Sequence, residues 1–411
     1  MTAKRIVVLG GGFAGLWSAV GAARHLDQLG VPSTEVEITL INRDAFHGIR
    51  VRNYEADLAQ VRIPLDDVLA PIGVARVTGT VADIKLAARE VLLNTARGPQ
   101  ALGYDRLVFA LGSQLVRPAI PGAGQHLFDV DTFDGATRLN RHLAELPAQP
   151  DVPGRFTVLV VGAGLTGIET AAEMPGKLRA ALTAAGQSHP FRIILADRGP
   201  WIGSDMGHAA RAIIAEALSD LKIESRPDVD IVSVSANGAT LRSGEEIPAR
   251  TVVWCAGMRA HPLTSVFPVE HDRFGRLPVD PYLRVTGVPS LFAAGDVAAA
   301  MMDDQHVSVM SCQHGRPMGR FAGHNVISDL LDLPMLPLAI RWYVTVLDLG
   351  PWGAVYTEGW DRHVVAKGAA AKRTKQIINC KRIYPPRSGN RAEILAAAAP
   401  VVQNPPATYR E

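Results

Sequence analysis

An α/β architecture is expected for this chain: two doubly wound domains, then a C-terminal α+β segment. Three features point there. A short apolar run ending in a glycine cluster, Ile6-Val7-Val8-Leu9-Gly10-Gly11-Gly12-Phe13-Ala14-Gly15, recurs in the same form as Val158-Leu159-Val160-Val161-Gly162-Ala163-Gly164-Leu165-Thr166-Gly167. Four consecutive apolar residues suit a strand buried on both faces, as in a parallel sheet. Beyond each cluster, apolar strands alternate with amphipathic stretches, the pattern of helices wrapped on a parallel sheet.

The later elements fall into place around the two clusters. Second strands are expected at residues 37–41 and 192–196. Residues 106–110 run into Gly112, residues 251–255 into Gly257, and residues 290–294 into Gly295-Asp296. Pro118, Pro121 and Gly122 mark one crossover between domains, and residues 278–281, with Pro278 and Pro281, mark another. The chain is thereby divided at 1–117, 118–277, 278–333 and 334–411. The stretch from Pro400 onward is rich in Pro and polar residues and is expected to fray.

Length and composition set the frame. A chain of 411 residues exceeds one ordinary core. With 47% apolar and 20% charged residues it is globular, and a net charge of +2 gives no reason to invoke nucleic acid. Cys255, Cys312 and Cys380 form no C-x-x-C pair, so neither a metal site nor a disulfide framework is expected, and a reducing compartment fits best. The apolar run Ile6 to Leu9 leads straight into glycines and does not read as a signal peptide. No run reaches the ~18 apolar residues a spanning helix needs. The expected location is cytoplasmic, at most peripheral on the inner face of a membrane.

Gly10-x-Gly12-x-x-Gly15 follows a strand and opens a helix. A bare glycine-rich turn is the simpler alternative, but this placement suits a dinucleotide. Gly10 allows the tight turn, Gly12 lets the backbone approach a pyrophosphate, and Gly15 lets helix and strand pack closely. The helix N-terminus then offers free N–H groups and a positive dipole end. An acidic residue usually ends the second strand and binds the ribose hydroxyls. Here Asn42, followed by Arg43, holds that place, and Asn can pair with a diol; Asp44 is the alternative. Gly162-x-Gly164-x-x-Gly167 repeats the logic with Asp197 at the strand end. A carboxylate there favours a free 2′-hydroxyl, hence NADH, while the adjacent Arg198 keeps NADPH open. Glu169, in the first turn of the second helix, either complements the helix dipole or handles protons.

With these motifs in this order, the chain resembles the two-dinucleotide-binding FAD/NAD(P) oxidoreductases over roughly residues 4 to 330. Phe109-Ala110-Leu111-Gly112-Ser113 and Trp254-Cys255-Ala256-Gly257 are similar to that family's linker motifs. Leu291-Phe292-Ala293-Ala294-Gly295-Asp296 is similar to its second FAD motif. The resemblance implies an FAD-binding domain in two parts, 1–117 and 278–333, an NAD(P)H-binding domain at 118–277, and a C-terminal cap or interface at 334–411. It also implies that Asp296 bonds the FAD ribitol. Residues 164–173 look most like type II NADH dehydrogenases (NADH:quinone oxidoreductases) and apoptosis-inducing-factor-like oxidoreductases. Cys312-Gln313-His314-Gly315 resembles the type II helix motif, whose Gln lies near quinone and flavin; the motif's second Gln falls at Pro317 and its Ala at Gly315. Residues 47–55 depart from the type II pattern, and 349–355 resemble it faintly.

The activity implied is hydride transfer from NADH to FAD, then electron transfer to a quinone, with Glu169 and Gln313 as catalytic residues. A reductase of a ferredoxin-like carrier and a flavin redox sensor with slow turnover are the alternatives. Residues 43–57 contain no cysteine, which argues against disulfide-reductase chemistry. Cys312 reads as a small buried residue. His47, Arg50, Arg52 and Tyr54 are either a solvated loop or a flavin contact, with Arg50 offsetting the charge of reduced flavin; His314 and Arg316 share that choice. Residues 362–391 hold nine Lys or Arg and no acid. Such a run is a solvated face or, with Ile377, Ile378 and Ile383, a surface for an anionic membrane. A homodimer is left open.

Overall fold

The computed structural model describes residues 3–407. Its first sheet is wholly parallel, in the order Leu291–Ala293, Arg106–Phe109, Lys4–Leu9, Val36–Asn42, Ala75–Thr78. Ile6, Val7, Val8 and Leu9 are all fully buried. Layers on both faces of the sheet explain why the strand shows no polar alternation. A second parallel sheet repeats the plan: Leu127–Phe128, Thr251–Trp254, Thr157–Val161, Arg192–Ala196, Ile223–Arg226. In each sheet the strand before the glycine cluster is central and its cluster opens a helix, Phe13–Leu29 or Leu165–Ala184. The chain is thus mixed α/β with two Rossmann-like sheets.

Two three-stranded antiparallel sheets, spanning 80–103 and 231–248, were not foreseen from the sequence. The C-terminal segment is α+β. An antiparallel sheet of Val344–Asp348, Ala354–Glu358 and His363–Lys367 is followed by the helix Gly368–Ile377, a π-helical turn at Ile378–Arg382, and the short helix Arg391–Ala397. The expected fraying of the tail does not begin at Pro400. The Tyr356 hydroxyl donates to the Pro406 carbonyl at 2.8 Å, and Pro406 is buried; the rest of that stretch, from 408, lies outside the described residues.

One helix contact positions the site. The helix Cys312–Leu330 lies directly on Phe13–Leu29, with glycine wherever the backbones meet. A Cβ at Gly319 would stand 2.3 Å from the Ala14 carbonyl oxygen, and one at Gly323 2.2 Å from that of Ser18. A Cβ on Gly21 would stand 2.9 Å from the Arg320 carbonyl oxygen. No side chain fits, so an added methyl must push the helices apart. Gly323→Ala is therefore expected to destabilise the protein by about 1–3 kcal/mol, the usual cost of overpacking. Gly176→Ala, a helix position with open space around it, is expected to be neutral or stabilising by up to about 1 kcal/mol. Urea denaturation of the two variants checks the contrast, and equal midpoints would refute the close-contact argument.

Candidate functional site

The two glycine turns are built alike. Gly10 and Gly162 both have φ of +102°, which an L side chain rarely adopts. A Cβ on Gly15 would lie 1.8 Å from the Gly10 oxygen, and one on Gly167 would lie 1.7 Å from the Gly162 oxygen. These four glycines serve the turns themselves. Gly12 and Gly164 are different: their backbones are extended, and a Cβ on Gly12 meets nothing within 4 Å. On Gly164 it meets only Asp205 Oδ2, at 3.7 Å. Each therefore leaves a side-chain-free space at a helix N-terminus, where free N–H groups suit a diphosphate.

The strand-end residues also match. Asn42 Oδ1 accepts from the Gly11 N–H at 2.9 Å, and Asp197 Oδ2 accepts from the Ala163 N–H at 2.6 Å. Asn42 Nδ2 donates onward to Asp44 and to the Phe46 carbonyl, while Asp197 Oδ1 takes the Gly199 N–H at 2.7 Å. Both side chains tie the middle of the glycine turn to the next strand end. The hydrogens of Asn42 are committed, which leaves only a lone pair for a ribose. Arg43 is largely exposed beside Asp44.

Gly112, Gly257 and Gly295 all have positive φ. Gly112 and Gly257 open two short strands, Ser113–Leu115 and Met258–Ala260, that pair with each other and link the two sheets. Gly295 packs on the start of the first helix: a Cβ there would lie 2.7 Å from Ala14 Cβ. Asp296 Oδ2 accepts from the Ser113 hydroxyl at 2.6 Å and stands 4.0 Å from Arg50 Nη1. Arg50 also donates to the Ser113 carbonyl and pairs with Asp131. Burial raises the Asp296 carboxyl pKa against the pull of Ser113 and Arg50. The polar cluster foreseen at 47–54 divides. Arg50 belongs with Asp296, Arg52 is held by Glu55 and the Tyr384 hydroxyl, and Tyr54 is buried with its hydroxyl 3.3 Å from Asp348.

Gln313 and Glu169 do not sit side by side. They contact opposite ends of one strand, Val344–Asp348. Gln313 Oε1 accepts from the Val344 N–H at 3.3 Å, and Glu169 Oε1 accepts from the Asp348 N–H at 3.1 Å. Four residues of strand separate these points by about 13 Å. Lys375 bridges the interval, donating to Glu169 at 2.6 Å and to the Val346 carbonyl at 2.9 Å. Burial raises the Glu169 carboxyl pKa, and Lys375 opposes the rise. Burial pulls Lys375 down, but Glu169, with Asp348 and Cys312, outweighs it and the net shift is upward. Asp348 in turn pairs with Lys372. Two cations of the basic run are thus used internally, and Arg362, Lys367, Arg387 and Arg391 also find partners.

A groove of about 540 Å³, its mouth included, opens beside Gln313. One wall is the outer face of Cys312–Leu330, with Cys312, Gln313, Arg316 and Arg320; Trp342, Ile378, Arg382 and Ile383 form the other. Gln313 Nε2 is buried with no partner among the described residues. Burial raises the Cys312 thiol while Arg316 and Lys375 pull against it, so this cysteine is no ready thiolate. Lys375 was visible in the sequence only as one more member of a basic run, and Arg320 and Arg382 were not connected with the site. Among the described residues, no helix is long and apolar enough to cross a membrane, and no cluster of three or more His, Cys, Asp or Glu could hold a metal.

His47 is fully buried, with Nδ1 2.8 Å from the Gly11 carbonyl oxygen. Burial holds its pKa down, to about 4. The unfolded chain, at 6.5, takes up the proton first as pH falls. Stability present at pH 7 is therefore lost as pH drops through 6.5 towards 4, by about 2 kcal/mol between pH 7 and 5 for this one group. His47→Asn keeps a donor for Gly11 but does not titrate. Its urea midpoint is expected to change less between the two pH values, by that amount; an identical loss in both proteins would rule out His47 as the cause.

The pyridine nucleotide-disulphide oxidoreductase family matches residues 4–319. An NADH dehydrogenase-like protein of Mycobacterium tuberculosis is 60% identical over 402 residues, covering 98% of this chain and all of its own. The demethylphylloquinone reductase of Synechocystis is 29% identical, covering 85% and 86% of the two chains. Among solved structures, NDH2 of Plasmodium falciparum in complex with NADH overlays with a TM-score of 0.76 at 14% identity, over 96% of this chain and 97% of that one. The family's name refers to a disulphide, yet no two of the three free cysteines are bonded here. With paired glycine turns, two matching sheets and a match across most of its length, the chain belongs to the pyridine nucleotide-disulphide oxidoreductase family.

Proposed function

We propose that the protein is an FAD-dependent NADH dehydrogenase that reduces a quinone in the groove beside Gln313. The observation that carries this reading is the Gln313 Nε2, buried without a partner among the described residues in the wall of an open groove. In this reading, residues 1–117 and 278–333 hold FAD, 118–277 hold NADH, and 334–411 close the acceptor side. Gly10, Gly12, Gly15, Asn42, Arg43, Gly112, Gly295 and Asp296 shape the FAD site. Gly162, Gly164, Gly167, Asp197 and Gly257 shape the NADH site. The Asp197 carboxylate disfavours a 2′-phosphate, so NADH is the better donor and NADPH the poorer. Bound FAD would supply the two-electron chemistry that links donor and acceptor.

The chain's own residues orient the acceptor and handle protons. Gln313 Nε2–H has an acceptor to find, and a quinone oxygen meets that need. Reduction of the quinone takes up two protons. The Glu169–Lys375 pair holds a transferable proton, and Lys375 lies close enough to the groove-lining Cys312 to act on its thiol. The names of relatives, NADH dehydrogenase-like and demethylphylloquinone reductase, support the same class of reaction. Exposed Ile377 and Val401 each adjoin a groove-lining residue, Ile378 and Val402, which supports peripheral contact with a cytoplasmic membrane face. An acidic carrier protein is less favoured, because most of the basic run is paired within the chain.

Gly12→Val tests the cofactor assignment. The new side chain points into open space, so the fold is expected to survive while FAD is lost from the purified protein. A stable variant with full FAD content would sink the assignment. Stopped-flow mixing tests the acceptor site in two half-reactions: anaerobic reduction by NADH or NADPH, then reoxidation by quinone, ferredoxin or oxygen. Gln313→Ala and Glu169→Gln are each expected to slow reoxidation by quinone at least about tenfold while affecting reduction by NADH far less. Wild-type reoxidation rates in both variants would refute the quinone site.

A further inference from the structure

The described residues line the groove with cations and no anion. Arg316 and Arg320 lie one turn apart on the helix Cys312–Leu330 and are 7% and 3% exposed. Among the described residues, neither side chain has a hydrogen-bond or ion-pair partner, and the Nε of each is buried without one. Their guanidinium carbons stand 5.4 and 4.5 Å from the ring centre of Trp17, which is itself buried. Arg382 joins them from the opposite wall, giving one hydrogen bond to the Asn404 carbonyl. Burial lowers the pKa of Arg316 to about 10 and of Arg320 to about 9, and cationic neighbours add to both effects.

Burying a cation without a partner costs several kcal/mol. The described residues offer cation–π contact as partial compensation and no carboxylate. A hydrocarbon tail in this groove would desolvate the guanidiniums further and return nothing. An anionic group would supply the missing partner, and Arg is suited to bidentate binding of carboxylate and sulfonate. The spacing limits its position. Arg316 and Arg320 are three and seven residues beyond Gln313, about 4.5 and 10.5 Å along the helix axis. A fused aromatic ring system fits that span, and Trp342, Ile378 and Ile383 provide apolar walls for it.

We propose that the groove binds an aromatic acceptor through an anionic substituent, a quinone bearing a carboxylate or sulfonate, held by Arg316, Arg320 and Arg382. This rests on the quinone reading of the same groove. The overall reaction is NADH + H⁺ + quinone → NAD⁺ + quinol. Two electrons and one proton come from NADH, the second proton comes from solvent, and the anionic substituent is unchanged.

Two measurements test it. Isothermal titration of the FAD-loaded protein with 2-naphthoate and with neutral 2-naphthol reads binding without turnover. The naphthoate is expected to bind at least tenfold more tightly in the unsubstituted protein, and the preference is expected to fall below threefold in R316Q/R320Q. Equal binding of the two probes by the unsubstituted protein overturns the proposal, whether or not the variants fold. Steady-state kinetics then compare 1,4-naphthoquinone-2-sulfonate with 2-methyl-1,4-naphthoquinone. The ratio of their kcat/KM values, sulfonate over methyl, is expected to fall at least tenfold in R316Q/R320Q. Reduction of neither quinone alongside a retained naphthoate preference sinks the quinone reading and supports the anion site. Tight binding of phosphatidylglycerol vesicles, lost in R316Q/R320Q and without any naphthoate preference, overturns the proposal in favour of a lipid headgroup.

Discussion

The glycine contact between Phe13–Leu29 and Cys312–Leu330 is the constraint on which the rest of the site depends. Removing the Cβ at Gly21, Gly319 and Gly323 lets one helix backbone rest on the other. Gly315 then lies against Phe13, Ala14 and Gly295. Three segments far apart in the sequence meet there: the first glycine turn, the Gly295-Asp296 turn and the start of the later helix. Helical periodicity does the rest. With Gly315, Gly319 and Gly323 facing inward at four-residue spacing, Arg316 and Arg320 form the neighbouring stripe and face the groove. One helix thus presents a packing face and a chemical face, and the glycine stripe fixes both.

The parts legible in the sequence were those with local signatures. Each glycine cluster, its flanking strand and its strand-end residue lie within some tens of residues, and each signal has a direct physical cause. Asn42 seemed a departure from the usual acid, yet it makes the same turn-holding bond as Asp197. The turn needs an acceptor oxygen, and an amide provides one as well as a carboxylate does. Pairings between distant segments leave no such signature. Lys375 and Glu169 are 206 residues apart, so no spacing announces their ion pair. The basic run looked like a surface because its partners, Asp348, Glu169, Glu216 and Asp27, lie elsewhere in the chain. The cationic groove does have a local signature: residues 305–328 contain no Asp or Glu, so Arg316 and Arg320 have no partner nearby in the sequence.

The buried ion pairs are better understood as positional than as sources of stability. Desolvating Glu169 and Lys375 consumes most of what their attraction returns, whereas losing one partner would leave an uncompensated charge. Their effect is to fix the strand Val344–Asp348 at its Glu169 end, while Gln313 marks the other end. Glu169 stands on the helix of the second sheet, and Gln313 stands on a helix packed against the first. The C-terminal strand therefore spans both sheets, and the groove exists only where that strand is docked.

That arrangement explains how two arginines without a partner among the described residues can be tolerated. If the C-terminal segment packed loosely, the cheapest relaxation would be for Arg316 and Arg320 to swing into solvent. Docking prevents it: Ile378 and Ile383 close the groove from the far side, and the Tyr356–Pro406 bond secures the chain that carries Val402 along it. Apolar burial, at about 1.5–3 kcal/mol for a fully buried side chain such as Ile383, offsets part of the cost of keeping two guanidiniums from water. The stacking on Trp17 lowers that cost further. The segment's docking energy is thus partly held as an unmet electrostatic demand at the groove, which a ligand of the right charge can satisfy and a neutral one cannot.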